Sequence, residues 1–334
     1  MSRTNLYPLK FKPILKPTIW GGRKLKSKLG KTLGEIETCG ESWEISSVAN
    51  NISEVAEGPL VGEKLTDLIE EYKGDLVGGH VYAKFNNMFP LLIKFIDAKE
   101  KLSIQVHPDD ELARERHNSF GKTEMWYVVD ADDGASLISG FNKPTNKAEY
   151  LEKFNSGKLM DLLNNESAKK DDVFFLPAGR VHTIGQGLLI AEIQQTSDIT
   201  YRIYDFDRVD KEGNKRDLHV QEALAAIDFN YYEDYKTIYN DTGIETNLVS
   251  CDYFVCNRLN VDEPLSKDYS RIDSCIILMV LEGGGDIKTF QGTYSYSTGD
   301  TYLIPACISE ISISPYKYSK ILEVHIPVLS QVAE

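Results

Sequence analysis

The sequence lacks the features that mark secreted, membrane-spanning and disulfide-rich proteins. Its 334 residues include only five cysteines, which are scattered and lack the spacing of a metal knuckle, so we expect no disulfide framework. No apolar run is long enough to span a bilayer. Residues 1–16 alternate polar, proline and apolar positions, so we expect no signal peptide. These absences predict a protein of the reducing cytoplasm.

Positive charge is also scarce. Lys and Arg together number 37 against 51 Asp and Glu, which gives a net charge of −14. Such a balance disfavours a nucleic-acid partner or an anionic membrane surface. A glycine-rich phosphate loop is missing as well. An anionic substrate would therefore need a local basic pocket, and the sequence leaves the oligomeric state open.

Apolar and β-favouring residues are present in good supply. The chain is 42% hydrophobic and has 18 Tyr and 13 Phe, as in a globular protein rich in sheet. Many short apolar strands between polar turns favour a closed barrel or sandwich. The length favours two lobes. We predict an N-terminal lobe over residues 1–240 and a C-terminal lobe over residues 241–334.

Three segments have patterns of their own. Residues 89–106 contain two apolar runs around the charged turn DAKEK, which predicts a β-hairpin. Residues 145–165 have helical spacing with a break at Gly157, which predicts a small helical insertion. A further helix is predicted near residues 217–228.

An internal repeat relates the two lobes. The segment DDVFFLPAGRVH at residues 171–182 aligns without gaps with GDTYLIPACISE at residues 299–310. In the second copy Glu310 occupies the position of His182, and no Gln-x-His motif precedes it. We therefore expect a metal site in the first lobe only, and a degenerate second lobe without metal.

The strongest local signal is a set of polar residues at the ends of predicted strands. Gln105 and His107 are two residues apart and therefore share one strand face. Glu124 opens the strand EMWYVV, and His182 follows another strand. This mixed nitrogen and oxygen set suits Zn²⁺ or a similar divalent ion. The other histidines are expected to be ordinary surface or hydrogen-bonded residues: His80, His117, His219 and His325.

Five further motifs are spread along the chain: LSIQVHPDD, GKTEMWY, WGG at residues 20–22, GESWEIS at residues 40–46 and IQQTSDITYRIYDFDR at residues 193–208. Together they resemble a known family, the type I mannose-6-phosphate isomerases (phosphomannose isomerases) of the cupin superfamily. The resemblance covers nearly the whole chain, whose length is similar to that of the shorter bacterial members. Trp20 and Trp43 lie in these motifs, and we expect both to help close a barrel.

The resemblance implies a mainly-β protein with two cupin-type, jelly-roll-like β-barrels and a small helical insertion. It also implies reversible isomerisation of mannose 6-phosphate and fructose 6-phosphate. One zinc ion per chain would be held by four ligands: Gln105, His107, Glu124 and His182.

The reaction requires further polar groups. A proton must move between C2 and C1 through a cis-enediolate, whose negative oxygen needs stabilisation. The resemblance places Arg202 at the family's active-site arginine, with Asp198 and Lys122 as further catalytic candidates. Ser103 and Arg180 are candidates for substrate binding. Whether Lys122, Arg202 or a bound water moves the proton stays open at this point.

Two other functions are compatible with the same residues. Two His and a carboxylate also hold Fe(II) in cupin oxygenases, although Gln105, Lys122 and Arg202 suit a polar sugar better. A non-catalytic sugar-phosphate sensor would keep the barrel and lose turnover. Oxygen consumption and isomerase turnover would separate these alternatives.

Overall fold

A computed structural model describes residues 6–209, 212–241 and 243–328, which form mainly β-structure. Strands hold 39% of the chain and helices 16%, so the mainly-β prediction is confirmed. The outer ends of the two predicted lobes, residues 1–5 and 329–334, lie outside the described residues. The lobe boundary near residue 240 stays a prediction.

The regular elements are numbered here in chain order. The strands are β1 (Leu9–Lys10), β2 (Ile14–Lys16), β3 (Glu41–Ile45), β4 (Leu91–Ala98), β5 (Ile104–Val106), β6 (Glu124–Ala131), β7 (Ser136–Phe141), β8 (Leu163–Ser167), β9 (Val173–Leu176), β10 (His182–Thr183), β11 (Leu188–Gln195), β12 (Tyr201–Tyr204), β13 (Lys236–Thr237), β14 (Glu245–Ser250), β15 (Val255–Val261), β16 (Leu265–Asp268), β17 (Ile276–Thr289), β18 (Gly292–Ser297), β19 (Thr301–Ile304) and β20 (Glu310–His325). The α-helices are α1 (Lys24–Ser27), α2 (Leu65–Tyr72), α3 (Gly74–Val77), α4 (Gly79–Phe85), α5 (Asp110–His117), α6 (Lys147–Asn155) and α7 (Val220–Ala226), with a 3-10 helix at Leu159–Leu162.

The strands form three antiparallel sheets. The first sheet has the order β13-β9-β6-β11-β4-β3-β2, and the second has the order β12-β5-β10-β7-β8. The third runs β1-β19-β17-β20-β15-β14, with β16 beside β20 and β18 beside β17. Because β1 pairs with β19, residues near the start of the chain complete a sheet of the C-terminal half.

The first sheet is buried on both faces. On one face Trp126 and Ile190 pack with Leu137 of the second sheet. On the other face Tyr127 packs in one core cluster with Leu68 of α2 and Met279 of β17. Successive side chains of a strand point to opposite faces, so a single strand supplies both cores. The sheet that carries Glu124 is thus supported by the C-terminal half.

The predicted helical insertion is confirmed. Helix α6 begins after Asn146, whose side-chain oxygen accepts hydrogen bonds from the backbone N–H groups of Ala148 and Glu149. It ends before Gly157, which has a φ of +70° that favours glycine. The 3-10 helix then leads into β8. Helix α7 lies within the range 217–228 that the sequence indicated.

Three helices between residues 65 and 85 were not predicted. In α2 the buried residues Leu65, Leu68 and Ile69 have the spacing of an amphipathic helix. They join the core between the first sheet and the C-terminal half. The spacing was visible in the sequence, and it predicts this helix when it is read at a period of 3.6 residues.

The hairpin predicted for residues 89–106 is wrong. Both strands exist, but β4 pairs with β3 and β11, whereas β5 pairs with β10 and β12. Residues 99–103 carry the chain from the first sheet to the second. The apolar runs indicate where the strands are, but their partners come from distant segments.

The two segments of the internal repeat share one local structure. Asp171 and Gly299 have φ values of +74° and +89°, and each lies two residues before a buried strand. Those strands, β9 and β19, are followed by Pro177 and Pro305. This likeness supports the repeat.

Candidate active site

Strand ends of two sheets bring the predicted metal ligands together. In the second sheet Gln105 of β5 lies opposite His182 of β10 on one side and Arg202 of β12 on the other. His107 follows β5 directly. Glu124, the first residue of β6, comes from the first sheet. The set therefore lies between the two sheets, as the positions at strand ends predicted.

The two histidines face the carboxylate closely. His182 Nε2 lies 3.3 Å from Glu124 Oε1, and His107 Nε2 lies 3.6 Å from Glu124 Oε2. Gln105 Nε2 lies 3.3 Å from His182 Nε2. His107, Glu124 and His182 are buried and offer ligand atoms within 4.8 Å of one another. Neither oxygen of Glu124 has a well-directed hydrogen bond.

Both imidazoles are neutral with a defined tautomer. The Nδ1 atoms of His107 and His182 lie 2.8 Å from the carbonyl oxygens of Ile199 and Arg180, so each Nδ1–H donates to a carbonyl. Burial, aided by the Lys122 ammonium, lowers the pKa of His182 to about 3 and that of His107 well below its usual value. The Nε2 atoms carry the lone pairs that could bind a metal, and in the structure they face Lys122 Nζ at 3.0 Å and Gln105 Nε2 at 3.3 Å.

The donor set fits a divalent metal ion. Burial raises the pKa of Glu124 to about 7, although the Lys122 ammonium opposes the shift. A buried carboxylate is costly unless cations compensate it, and here the Lys122 ammonium lies beside Oε2 at 3.0 Å, while Oε1 faces the neutral imidazole of His182 at 3.3 Å. Two neutral imidazoles and this carboxylate are a typical mixed set for zinc or a related ion. The Gln105 amide, whose Nε2 faces His182, adds an oxygen ligand when the amide is turned over.

Five of the predicted residues line one cleft beside this group. The candidate cleft has a volume of about 150 Å³, and the five are Ser103, Gln105, Lys122, Asp198 and Arg202. Lys122 Nζ is 3.0 Å from both His107 Nε2 and Glu124 Oε2. Arg202 donates from Nη1 to the Asp217 carbonyl at 2.8 Å, and its Nε has no acceptor.

Arg180 is placed differently from the other predicted residues. It does not line the candidate cleft. Its guanidinium lies over the rings of Tyr232 and Tyr235, at 4.4 Å and 4.7 Å from their centroids. Its carbonyl orients His182. The geometry thus supports a structural role for Arg180 and does not support a contact between Arg180 and the substrate.

Sequence reasoning missed the contacts within a row of residues of the first sheet, of which Trp43, Lys94 and Glu192 line the candidate cleft. Trp43, Lys94, Glu192 and Trp126 lie opposite one another across β3, β4, β11 and β6. Lys94 Nζ is 3.0 Å from Glu192 Oε1, and Trp126 Nε1 donates to Glu192 Oε2 at 2.8 Å. The available signal was a charge in the middle of each of the apolar runs LLIKFIDA and LLIAEIQQ, Lys94 in the first and Glu192 in the second. A buried charge needs a partner.

Further residues from neighbouring strands and loops also line the cleft. Glu41 accepts a hydrogen bond from Trp43 Nε1 at 2.6 Å and lies 3.5 Å from Lys94 Nζ. Trp20, expected to help close the barrel, is buried and lines the cleft with Trp43 and Arg216. The cleft is therefore rich in charged and aromatic groups.

Comparison with known proteins identifies the family. The chain is 35% identical to mannose-6-phosphate isomerase ManA of Bacillus subtilis over 314 residues. This aligned region covers 92% of this chain and 96% of the relative. The chain belongs to the mannose-6-phosphate isomerase family. Within the family it is also 35% identical to the mannose-6-phosphate isomerase of Streptococcus mutans, over 90% of this chain and 93% of that protein.

The type I assignment and the fold agree with this membership. The family description "Phosphomannose isomerase type I, catalytic domain" matches residues 9–134. The crystal structure of the mannose 6-phosphate isomerase from Bacillus subtilis superposes with a TM-score of 0.86 at 32% identity, covering 96% of this chain and all of that one. The cupin-type fold expected of a mannose-6-phosphate isomerase family member is thereby confirmed.

Within the described ranges, no helix combines the length and the apolar character that crossing a bilayer requires. The cytoplasmic location stays a prediction.

Proposed function

We propose that the chain is a zinc-dependent mannose-6-phosphate isomerase that interconverts mannose 6-phosphate and fructose 6-phosphate. The observation that carries this proposal is the buried group His107, Glu124 and His182 beside a cleft lined by Lys122 and Arg202. Relatives whose names state this activity match nearly the whole chain. The partner is a small sugar phosphate, and neither nucleic acid nor a membrane is expected.

One zinc ion per chain would be held by four residues: Gln105, His107, Glu124 and His182. Support comes from the neutral imidazoles, whose Nε2 atoms lie 3.3 and 3.6 Å from the oxygens of the buried Glu124 carboxylate. When bound, the ion would supply Lewis-acid chemistry that polarises the carbonyl and hydroxyl oxygens of the sugar.

The residues of the cleft would carry the proton transfer. Lys122 is buried at the cleft, where its amino group would assist proton exchange between C2 and C1. Arg202 has a guanidinium that can stabilise the negative oxygen of the cis-enediolate. Asp198, exposed at the cleft, would orient sugar hydroxyls or Arg202, and the Ser103 hydroxyl would bind the substrate.

An assay on mannose 6-phosphate, with metal content measured on the same sample, tests the proposal. Zinc-loaded protein should form fructose 6-phosphate, lose activity to a chelator and regain it with zinc. Absence of turnover with zinc fully bound would overturn the proposal in favour of a sugar-phosphate sensor. Oxygen consumption without isomerisation would favour a cupin oxygenase.

A further inference from the structure

Asp110, the first residue of α5, joins three parts of the chain that are far apart in sequence. Its Oδ1 accepts hydrogen bonds from the Gly121 N–H at 2.8 Å and from Gln195 Nε2 at 2.9 Å. Its Oδ2 accepts one from the Tyr253 hydroxyl at 2.9 Å. Tyr253 belongs to the C-terminal half, whereas Gly121 and Gln195 belong to the half that carries the candidate site.

Gly121 and Gln195 both hold in place the segment that bears Lys122 and Glu124. Gly121 directly precedes Lys122. The Gln195 side-chain oxygen accepts from the Thr123 N–H at 2.8 Å, and the Gln195 N–H donates to the Thr123 carbonyl at 3.1 Å. Thr123, which stands between Lys122 and Glu124, is thus held at both of its backbone polar groups.

The approach of this segment to α5 is tight. A Cβ atom added to Gly121 would lie 2.6 Å from the carbonyl carbon of Asp109 and 2.6 Å from the backbone nitrogen of Asp110. Only glycine fits there without a backbone shift. Burial and the Asp110 carboxylate both raise the pKa of Tyr253, so its hydroxyl stays protonated and donates at neutral pH.

We propose that Asp110 is a positioning residue through which Tyr253 of the C-terminal half fixes Lys122 and Glu124 at the candidate site. This inference rests on the proposed function. Asp110 itself contacts neither the two histidines nor the cleft; it acts through Gly121 and Gln195. The C-terminal half thereby contributes to the site without binding a metal of its own.

Zinc affinity and steady-state kinetics of variants test this role. Zinc dissociation constants are measured by competition with a chelating dye, and kcat and KM are measured on mannose 6-phosphate. Asp110→Ala should weaken zinc binding and lower kcat by about 10- to 100-fold each, the range for residues that orient metal ligands. KM should change less. Asp110→Asn should recover much of the loss, because its oxygen still accepts from Gly121 and Gln195 while its amide donates to Tyr253.

Tyr253→Phe and a matched control separate positioning from general stability. Tyr253→Phe removes one of the three bonds and should give a smaller loss in both zinc affinity and kcat. Tyr269 donates to the buried Glu323 carboxylate at 2.7 Å and lies outside the cleft. Tyr269→Phe should lower thermal stability similarly and leave zinc affinity and kcat at parental values.

The outcomes are distinct. Parental zinc affinity and kcat in Asp110→Ala would overturn the inference, as would equal losses in Tyr269→Phe and Tyr253→Phe. If Asp110→Ala does not fold, the comparison of Tyr253→Phe with Tyr269→Phe decides. Parental protein that binds zinc without turnover would refute the proposed function alone, and the zinc measurements would still decide the role of Asp110.

Discussion

Two neutral imidazoles that face one buried carboxylate form a group that could hold a metal ion. Each ring is oriented by a backbone carbonyl, so rotation of His107 or His182 would break a hydrogen bond at 2.8 Å. The lowered pKa values mean that protons do not compete for the Nε2 atoms near neutral pH. Affinity for the ion therefore depends on both rings together.

Replacing His182 by Ala should remove most bound zinc and most isomerase activity. We expect this because a ligand atom is lost, whereas the apolar core between the first two sheets remains. Metal content by atomic emission and circular dichroism on the same sample would check this expectation. His325→Ala is the control, because His325 lies in the C-terminal half at the end of β20. Stoichiometric zinc in His182→Ala would contradict the ligand assignment.

Replacing Arg202 should affect turnover and leave the metal in place. Loss of an electrostatic stabiliser typically costs on the order of a hundredfold or more in kcat. Lys is not an equivalent replacement, since it lacks the planar guanidinium that can donate hydrogen bonds to two oxygens at once. Arg202→Ala and Arg202→Lys should both keep full zinc occupancy. A raised KM with nearly unchanged kcat would instead show that Arg202 holds the phosphate.

The first sheet carries a buried charged row on the face that lines the candidate cleft. Lys94 of β4 and Glu192 of β11 are directly paired in register, and Trp43 and Trp126 flank them. Both charges are almost fully buried. Removal of one partner of such a pair leaves an uncompensated charge in a region of low dielectric constant.

Lys94→Met should destabilise the protein by about 3–5 kcal/mol, the range for an orphaned buried charge. The double variant Lys94→Met/Glu192→Gln should be more stable than Lys94→Met alone, because the amide that replaces the carboxylate carries no charge and its oxygen can still accept from Trp126. Urea unfolding of the parent, both single variants and the double variant measures the coupling. Equal stability of Lys94→Met and the parent would contradict a stabilising interaction between Lys94 and Glu192.

The same pair predicts a pH dependence of stability. Burial by itself raises the pKa of Glu192, but the Lys94 ammonium outweighs it and the net pKa is lowered. A carboxyl with a lowered pKa stabilises the fold above its ordinary pKa, and this contribution is lost as the pH falls towards the folded value. The stability difference between parent and Glu192→Gln should therefore be largest near neutral pH and shrink below about pH 4.

Unfolding curves of metal-free protein at several pH values would test this. Glu282→Gln is a suitable control, because Glu282 pairs with Lys170 at 2.9 Å on the surface. Exposed pairs contribute little to stability. A difference between parent and Glu192→Gln that is constant with pH would rule out the lowered pKa.

Strand positions and the histidines of the site could be predicted from the sequence, whereas contacts set by register could not. Gln105 and His107 share a strand face by simple alternation, so their convergence is a local property. Lys94 and Glu192 meet only because β4 pairs with β11 and not with β5, which follows it in the chain. The same cause made the hairpin prediction wrong. Partner choice depends on the complete sheet.

At the scale of the whole molecule, the C-terminal half has an interior of a different kind. Leu278, Tyr296, Tyr302 and Ile304 are buried together in one apolar cluster. No group of histidines, cysteines and carboxylates with ligand spacing other than His107, Glu124 and His182 is found within the described residues. The C-terminal half acts as support for the first sheet.

Zinc should therefore saturate at one ion per chain. Glu310, which occupies the repeat position of His182, is the first residue of β20 and is exposed. Across the ladder it faces Asp268, a second carboxylate, and no imidazole lies opposite it. Two exposed carboxylates without a nitrogen donor give zinc no mixed ligand set of the kind seen between the first two sheets.

Titration of metal-free protein with zinc, followed by equilibrium dialysis and metal analysis, measures this stoichiometry. We expect about one tightly bound ion per chain in the parent, about one in Glu310→Ala and close to none in His182→Ala, because His182 supplies one of the only two imidazole nitrogens of the proposed site. Weak binding at the surface is separated from the site by dialysis against buffer with moderate salt, because exposed charges are screened there. A second tightly bound ion that is lost in Glu310→Ala would show that the C-terminal half kept a metal site, and the argument from the repeat would then fail.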